Sequence, residues 1–554
     1  MSPRRAVNDA LDRIAFAAEL LDDRRARTWR QAAWAVRNSE GDLREAYESG
    51  ALQKLRGVGG STMRAIGEVL AGGKPAALVA YEQALPDGLF RVRQIKGLGP
   101  KKVKRLWRDL GITSLGELEY ACRENRLVEL DGFGSKTQEK VVKVIARLRA
   151  TEGMVRRDQA EAILGPIEHA LWVLDAVEQV AVVGDLARGE ELIRELAVLV
   201  QTRDEAAVAA QVERARPKDR EVTVHLADEA SFAGRAVWLT SEAGHRAALA
   251  QRAATRGVAF DEGGLRDAAG APIACEDEEE VYRALGLSPT PRERRRDDVP
   301  LVEEGRARPR LVRREDLRGA LHNHTVESDG SATLEQMRAA AREARLEYLH
   351  ISEHSESAFY ARGLEVERLD AQLAQIEKLN EAPDGCVLLS GIESDIREDG
   401  SLDYPDEVLD RLDVVVASVH RRGPLDAAQM TERMLRAAAH RHTDIVGHPT
   451  GRLLLGRAPI EFDVEAFLDA CAEHRVAVEL NANPHRLDLN ERHLAMAKER
   501  GLLVSIAADA HATRELANLE HGIVVARRAG LTPEDVLNTR TLEELTGWIA
   551  RRRA

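Results

Sequence analysis

Cysteine is scarce in this 554-residue chain: Cys122, Cys275, Cys386 and Cys471 are the only four. They are scattered, without the spacing of a disulfide framework or a zinc motif, so a reducing cytoplasm is the expected setting. Long apolar runs are also missing. No stretch of about 18 apolar residues occurs, and no transmembrane helix is expected. The opening MSPRRAVNDALDRIAFAAELL looks like a short signal sequence, but Asp9, Asp12 and Glu19 interrupt it, and helical periodicity accounts for it better. A chain of this length exceeds what one core supports and predicts several domains.

Charge and histidine are unevenly spread. Residues 1–150 hold 28 Lys+Arg against 19 Asp+Glu, a balance of +9, which leaves −22 for the rest of a chain whose net charge is −13. Of the 16 histidines, 13 lie beyond residue 315. A basic head on an acidic body predicts a head that meets nucleic acid. Within it a glycine turn repeats, in LRGVGGSTMRAIGEVL (Leu55–Leu70), IKGLGPKKVKRLW (Ile95–Trp107) and LDGFGSKTQEKVVKVI (Leu130–Ile145). Each copy pairs two glycines, then opens a helix. Gly57 and Gly59, Gly97 and Gly99, and Gly132 and Gly134 are the pairs. Such turns expose main-chain amides that can grip a phosphate oxygen without reading a base. Lys101, Lys102, Lys104 and Lys136 follow at once and are the candidate DNA-contacting cations.

The last 240 residues or so carry seven short apolar runs, six of which end in a histidine or an acid: LHNH, ISEH, GIES, ASVH, VGHP and AADAH. The seventh, VAVELNANPHR, ends in Glu479, Asn481 and Asn483. In a barrel of alternating strands and helices, strand C-terminal ends converge on one mouth. The pairs His322/His324 and Asp509/His511 are spaced i, i+2, so each projects from one face of its strand. Together with Asp329, His354, Glu393, His420 and His448 they make nine candidate ligands, too many for one ion. A site for two or three divalent metals is expected. Lone histidines such as His169, His245, His350, His440, His474, His493 and His521 are read as core or surface residues, while His442 and His485 are left open.

Taken together, the glycine hairpins and the runs HNHTVESDG, SEHSE, GIESDI, SLDYPD, ASVH, GHPTGR, ELNANPHRLD and ADAH resemble bacterial family X DNA polymerases that carry a C-terminal PHP (polymerase and histidinol phosphatase) domain. The resemblance runs end to end. It implies a multidomain chain: an α-helical helix-hairpin-helix region, an α+β nucleotidyltransferase-like middle of the polymerase beta type, and a distorted (β/α)7 PHP barrel. The expected boundaries are 1–83 for a DNA-end-binding domain, 84–152 for further hairpins, 153–288 for a palm and thumb-like region, 289–315 for a linker rich in Pro and charge, and 316–554 for the barrel. It also implies that all nine residues named above are metal ligands, with Glu393, Asp329 and His420 at the catalytic centre and Glu393 bridging two ions. Arg452 and Arg486 are candidates for the substrate phosphates. Glu353 stands where the family has Asp and is expected to support the ligands from behind.

The middle region departs from the family pattern. A family X polymerase needs a Gly-Ser turn for the triphosphate and three aspartates for two Mg²⁺ ions. Here Asp185 stands at the serine position, and the Asp-x-Asp pair reads Glu195-Leu196-Ala197. The third aspartate is replaced by His225, whereas Arg188 and Gly189 remain and SFAGRAVWLTSEAGHRAAL looks like the thumb. Alanine cannot ligate a metal, so loss of nucleotide transfer is expected. The remaining activity is expected to be metal-dependent hydrolysis at DNA 3′ ends, gapped or single-stranded, by a 3′–5′ exonuclease. Mn²⁺ is the foremost metal, and Zn²⁺ or Fe²⁺ are the alternatives. A histidinol-phosphatase-like activity or an active polymerase are the competing readings.

Overall fold

A computed structural model describes residues 3–39, 41–123, 126–127, 133–382 and 385–554. It divides into two compact units, Met1–Glu152 and Gly153–Ala554.

The first unit is helical. Helices Pro3–Leu20 and Ala26–Arg37 bury Leu11, Ile14, Phe16 and Trp29 in a core that continues without a break through Ile66, Leu89, Val103, Leu106 and Ile145. The expected boundary at 83/84 therefore crosses a shared core; the Phe16 and Phe90 rings lie 5.7 Å apart. The glycine turns precede helices Gly60–Leu70, Pro100–Leu110 and Ser135–Ala150. Gly57 and Gly97 have φ of +87° and +99°, a left-handed conformation that side chains resist. At Gly57 a Cβ would also meet the Gln31 Cβ at 2.7 Å, so the turn packs on the preceding helix.

The second unit begins with a three-stranded sheet. Val177–Val183 runs antiparallel to Ala197–Thr202, which runs parallel to Thr223–Ala227. Helices Phe232–Thr240, Ala243–Thr255 and Glu278–Ala284, with the hairpin Ala259–Asp261/Gly264–Arg266, follow around their own core of Val237, Leu249, Phe260 and Tyr282.

The barrel is parallel throughout. Its nine ladder segments make seven strands, because two strands are interrupted: Tyr348–His350 resumes as Glu353–His354, and Val387–Leu389 resumes as Gly391–Asp395. Across these breaks the ring closes. Gly319–Asn323 pairs with Tyr348–His350, which pairs with Val387–Leu389. From Gly391–Asp395 the ladder passes through Val414–Ser418, Ile445–Gly447, Ala477–Asn481 and Val504–Ala510, then back to Gly319–Asn323. The strands are buried on both faces, as a parallel sheet covered by helices requires.

The 289–315 segment is not the loose linker that its Pro and charge content predicted. Its arginines strap it to the barrel. Arg296 pairs with Glu491 at 2.7 Å, Glu293 takes Arg527 at 2.7 Å, and Arg294 bonds the Arg528 carbonyl. Composition pointed to solvent, but the charged groups find partners about 200 residues away in sequence.

In the thumb-like core, burial pushes the His245 imidazole down to about 4, and Arg295 and Arg308 add to the shift. Its Nε2 shares a hydrogen bond with the Tyr282 hydroxyl at 2.9 Å. The folded state therefore refuses a proton that the unfolded chain accepts near 6.5. Stability should fall as pH drops from about 6.5 to about 4, by roughly 3 kcal/mol in all. Urea unfolding of a variant that keeps Trp238 as its one tryptophan, followed by fluorescence, should show this loss, and His245→Gln should lessen it.

Candidate metal centre

All nine expected ligands meet at the C-terminal mouth of the barrel, where the strand ends deliver them. Glu393 lies at the middle, on the resumed third strand, and is 1% exposed. Its Oε1 faces Nε2 of His322 at 3.3 Å, of His420 at 3.1 Å and of His448 at 3.0 Å. Its Oε2 faces His354 Nδ1 at 2.9 Å and His324 Nε2 at 3.7 Å. On one side Asp509 Oδ1 stands 3.3 Å from His324 Nε2 and 3.8 Å from His322 Nε2. On the other, Asp329 Oδ1 stands 3.4 Å from His354 Nε2 and 3.2 Å from His511 Nε2. Four overlapping groups of three or four ligand atoms result, and among the described residues they are the only such groups.

These residues fit a cluster of divalent ions. Atoms that share one ion at about 2.1 Å lie roughly 3–3.4 Å from each other, close to the separations here. Both Glu393 oxygens, His322 Nε2, His324 Nε2 and His354 Nδ1 are buried and accept or donate no hydrogen bond. Burying such atoms unpaired is costly, and a cation would satisfy them together.

Three of the histidines have their other ring nitrogen occupied so as to aim a lone pair inward. His322 Nδ1 bonds Glu479 at 2.6 Å, His420 Nδ1 bonds Asp395 at 2.7 Å and His511 Nδ1 bonds the Asp509 carbonyl at 3.0 Å. Each then presents Nε2 to the centre. Glu479 also accepts the His448 amide at 3.0 Å and the Asn481 amide at 2.9 Å, and Asn481 reaches Asp509 at 2.9 Å. His322, His448 and Asp509 have φ of +70°, +26° and +49°. Left-handed backbone at three converging residues is the strain that functional sites store.

Electrostatics follow the same plan. Burial alone would raise the Glu393 carboxyl, but His420, His322 and His354 hold it well below the usual carboxylate range. Burial would likewise lower His354, yet Glu393 and Asp329 push it up to about 10. Asp329 and His511 are the most exposed of the nine, with side chains 37% and 32% open, and they mark the open side of the centre.

Several supporting residues carried a weak signal or none. Asp395 lies i+2 from Glu393, a spacing that could have found it. His350 was read as bland. It is fully buried, donates from Nε2 to the Val414 carbonyl at 3.2 Å and accepts the His322 amide at 3.4 Å, so it props the left-handed ligand. Glu353 is fully buried and accepts from the Thr325 amide and Gln372 Nε2, each at 3.0 Å, and from Ser328. It thus tethers the loop that ends in Asp329.

Arg452 is a correction. It does not face the mouth as a phosphate ligand would. It pairs with Glu191 and bonds the Leu487 carbonyl, joining the middle region to the barrel. Arg486 does lie at the centre, with Nε 3.7 Å from Asp509 and Nη1 buried without a hydrogen bond.

In the middle region, the expected polymerase positions hold Glu195, Ala197 and His225, and the face around Ala197 is apolar. Val183, Ala197 and Leu199 pack against Ala236, with Phe232 alongside. Asp185 is tied to Arg188 and accepts the Arg194 amide at 3.0 Å, and Glu195 accepts the Thr223 hydroxyl at 2.7 Å. His225 pairs in register with Leu199, and burial lowers its imidazole.

In the first unit Lys101 and Lys136 are exposed. Lys104 is paired with Asp22, and the Lys102 ammonium sits 5.2 Å from the Phe133 ring centre. Gly59, Gly99 and Gly134 are the residues from which the three helices start, although the Gly59 amide is already bonded to Thr62 at 2.7 Å. Gly132 lies outside the described residues.

Helix hairpins, a polymerase-beta-type middle and a multi-metal barrel define the architecture of a family X polymerase with a PHP domain. Residues 91–147 match the family of SAM-like helix-hairpin-helix tandems, and residues 236–296 match the DNA polymerase beta thumb. The DNA polymerase/3′-5′ exonuclease PolX of Bacillus subtilis (strain 168) is 31% identical over 98% of this chain and 98% of its own length. The chain belongs to the PolX family. A probable phosphatase of Thermoanaerobacter sp. (strain X514) is 28% identical over 39% of this chain and 89% of its own. The probable phosphatase YcdX of Escherichia coli (strain K12 / DH10B) is 28% identical over 39% of this chain and 88% of its own.

Glu479→Ala should remove the acceptor that orients His322 and lower affinity for the cluster metals about 10- to 100-fold. Competition with a chelating dye measures this, and an unchanged affinity would deny Glu479 that role.

Proposed function

We propose that this chain is a metal-dependent phosphodiesterase acting on DNA 3′ ends, a 3′–5′ exonuclease of repair that can also clear 3′ blocking groups, and that it no longer transfers nucleotides. The observation that carries this reading is the complete nine-residue constellation around Glu393, set in a chain whose expected polymerase positions hold Glu195, Ala197 and His225. Bound there, divalent ions would supply a water acidified to near neutrality and a counter-charge for the phosphoryl oxygens. Six imidazoles with three carboxylates favour Mn²⁺, Zn²⁺ or Fe²⁺ over Mg²⁺.

The chain's own residues do the rest. Glu393 presents one oxygen to each side of the centre, as a bridging carboxylate must. Asp329, on a tethered loop at the open side, and His420, aimed by Asp395, complete the part that faces the substrate. Arg486 is placed to meet a phosphate oxygen. The hairpins of the first unit, with Lys101 and Lys136 exposed beside the glycine turns, would hold the DNA backbone without sequence preference. Tethering a DNA-holding element to a hydrolytic site raises the local concentration of ends.

The probable phosphatases similar to the C-terminal part favour a second reading, a small-molecule phosphomonoesterase using the same centre. One experiment separates the two. With Mn²⁺ and 5′-labelled single-stranded or gapped DNA, wild type should give laddered shortening and His322→Ala should give none. Release of phosphate from histidinol phosphate without shortening would favour the second reading. Adding dNTPs should produce no templated extension; extension would refute the loss of polymerase activity.

A further inference from the structure

The open side of the metal centre carries side chains that hydrolysis itself does not need. Phe359 and Tyr360, on the turn Phe359–Ala361, are 74% and 56% exposed. The Tyr360 ring centre lies 6.5 Å from that of His354 and 6.3 Å from that of His420. Phe359 meets it edge-on at 6.0 Å. Two neighbouring aromatic rings thus stand in solvent at the edge of a metal centre, where aromatic faces serve to stack bases.

Next to them is a group of arginines. The loop Leu453–Arg457 is closed by main-chain bonds of 2.9 and 2.7 Å between its two ends and is joined to the turn that bears Arg486 by Leu454 N to His485 O at 2.7 Å. Arg457 bonds the Gly451 carbonyl at 2.8 Å, and Arg422 bonds the Ala458 carbonyl at 2.6 Å. No ion pair engages Arg422 or Arg457 among the described residues. Burial, then Arg486 and Arg422, depress the Arg457 guanidinium, against the opposite pull of Asp488 and Tyr360. Three guanidiniums gather here while only Arg486 has a carboxylate within 4 Å among the described residues, and a phosphate would relieve the surplus positive charge.

We propose that Phe359, Tyr360, Arg422, Arg457 and Arg486 form a nucleotide subsite, in which one ring of the aromatic pair, buttressed edge-on by the other, stacks on the base of the terminal nucleotide and the arginines hold its phosphate. The proposal rests on the phosphodiesterase reading and deepens it. A base can reach the rings only when unstacked, so the substrate is the frayed or single-stranded end of a nucleic acid, in preference to a free phosphomonoester without a base.

Binding to the full-length, Mn²⁺-saturated protein tests this without relying on turnover. By calorimetry, thymidine 5′-monophosphate should bind wild type roughly 5- to 150-fold more tightly than 2-deoxyribose 5-phosphate, the gain that base stacking confers. The double variant Phe359→Ala/Tyr360→Ala alters only exposed side chains and should bring that ratio close to one. Arg457→Gln should weaken both ligands alike and keep the ratio. A ratio near one in wild type, or one that survives in the double variant, would overturn the subsite. The exonuclease reading is judged apart, by shortening of labelled DNA. A sound ratio without shortening keeps the subsite and fells that reading, and shortening with a ratio near one does the reverse.

Discussion

A single fully buried carboxylate, Glu393, faces five imidazoles, and the second unit is organised to make that arrangement bearable. An isolated charge in such a place would neutralise itself or unfold its surroundings. Here the closed ring of parallel strands holds its neighbours at fixed distances. Gly391, immediately before the strand's ligand-bearing residues, leaves no room for a side chain: a Cβ there would meet His350 and the Val414 carbonyl at 1.9 and 2.3 Å. The site's position thus depends on backbone packing two residues away from its central acid.

Much of this was legible in the sequence because the physics is local. A strand with an i, i+2 pair of ligands at its end, such as His322/His324 or Asp509/His511, announces both its element and its direction. The helix-starting glycines did the same for the first unit. What escaped was non-local. Arg452 follows a suggestive His-Pro-Thr-Gly run, but its partner Glu191 is 261 residues away and no periodicity connects them. The 289–315 segment has the composition of a linker, and only the placement of Glu491, Arg527 and Arg528 turns it into a strap. His350 carried no mark at all, since a buried strand histidine reads alike whether it fills space or props a neighbour. Tyr360 was silent for a different reason: its meaning lies in being exposed beside His354 and His420, which only three dimensions reveal.

In the middle region a sheet keeps its frame although Glu195, Ala197 and His225 stand where three aspartates are expected. The sheet that would carry catalytic carboxylates keeps its pairing register, with Ala197 opposite Val183 and Thr223. The small alanine packs with Ala236, and the seam around it is apolar. Packed methyl groups hold such a seam about as well as buried charge would, or better. The frame therefore stands without carboxylates at Ala197 and Leu199.

Arg188 and Gly189, in the turn that follows the first strand of this sheet, pack against the barrel. Arg528, 1% exposed on the barrel's helix Leu519–Ala529, donates to the Arg188 carbonyl at 2.7 Å and pairs with Glu190 at 3.1 Å and Glu491 at 2.8 Å. Gly189 lies so close that a Cβ would meet Val524 at 2.4 Å. Excising the middle region would strip a buried guanidinium of two of its partners and bare the helix that backs the last ligand strand. The barrel thus leans on that region as on a buttress, whatever chemistry the buttress performs.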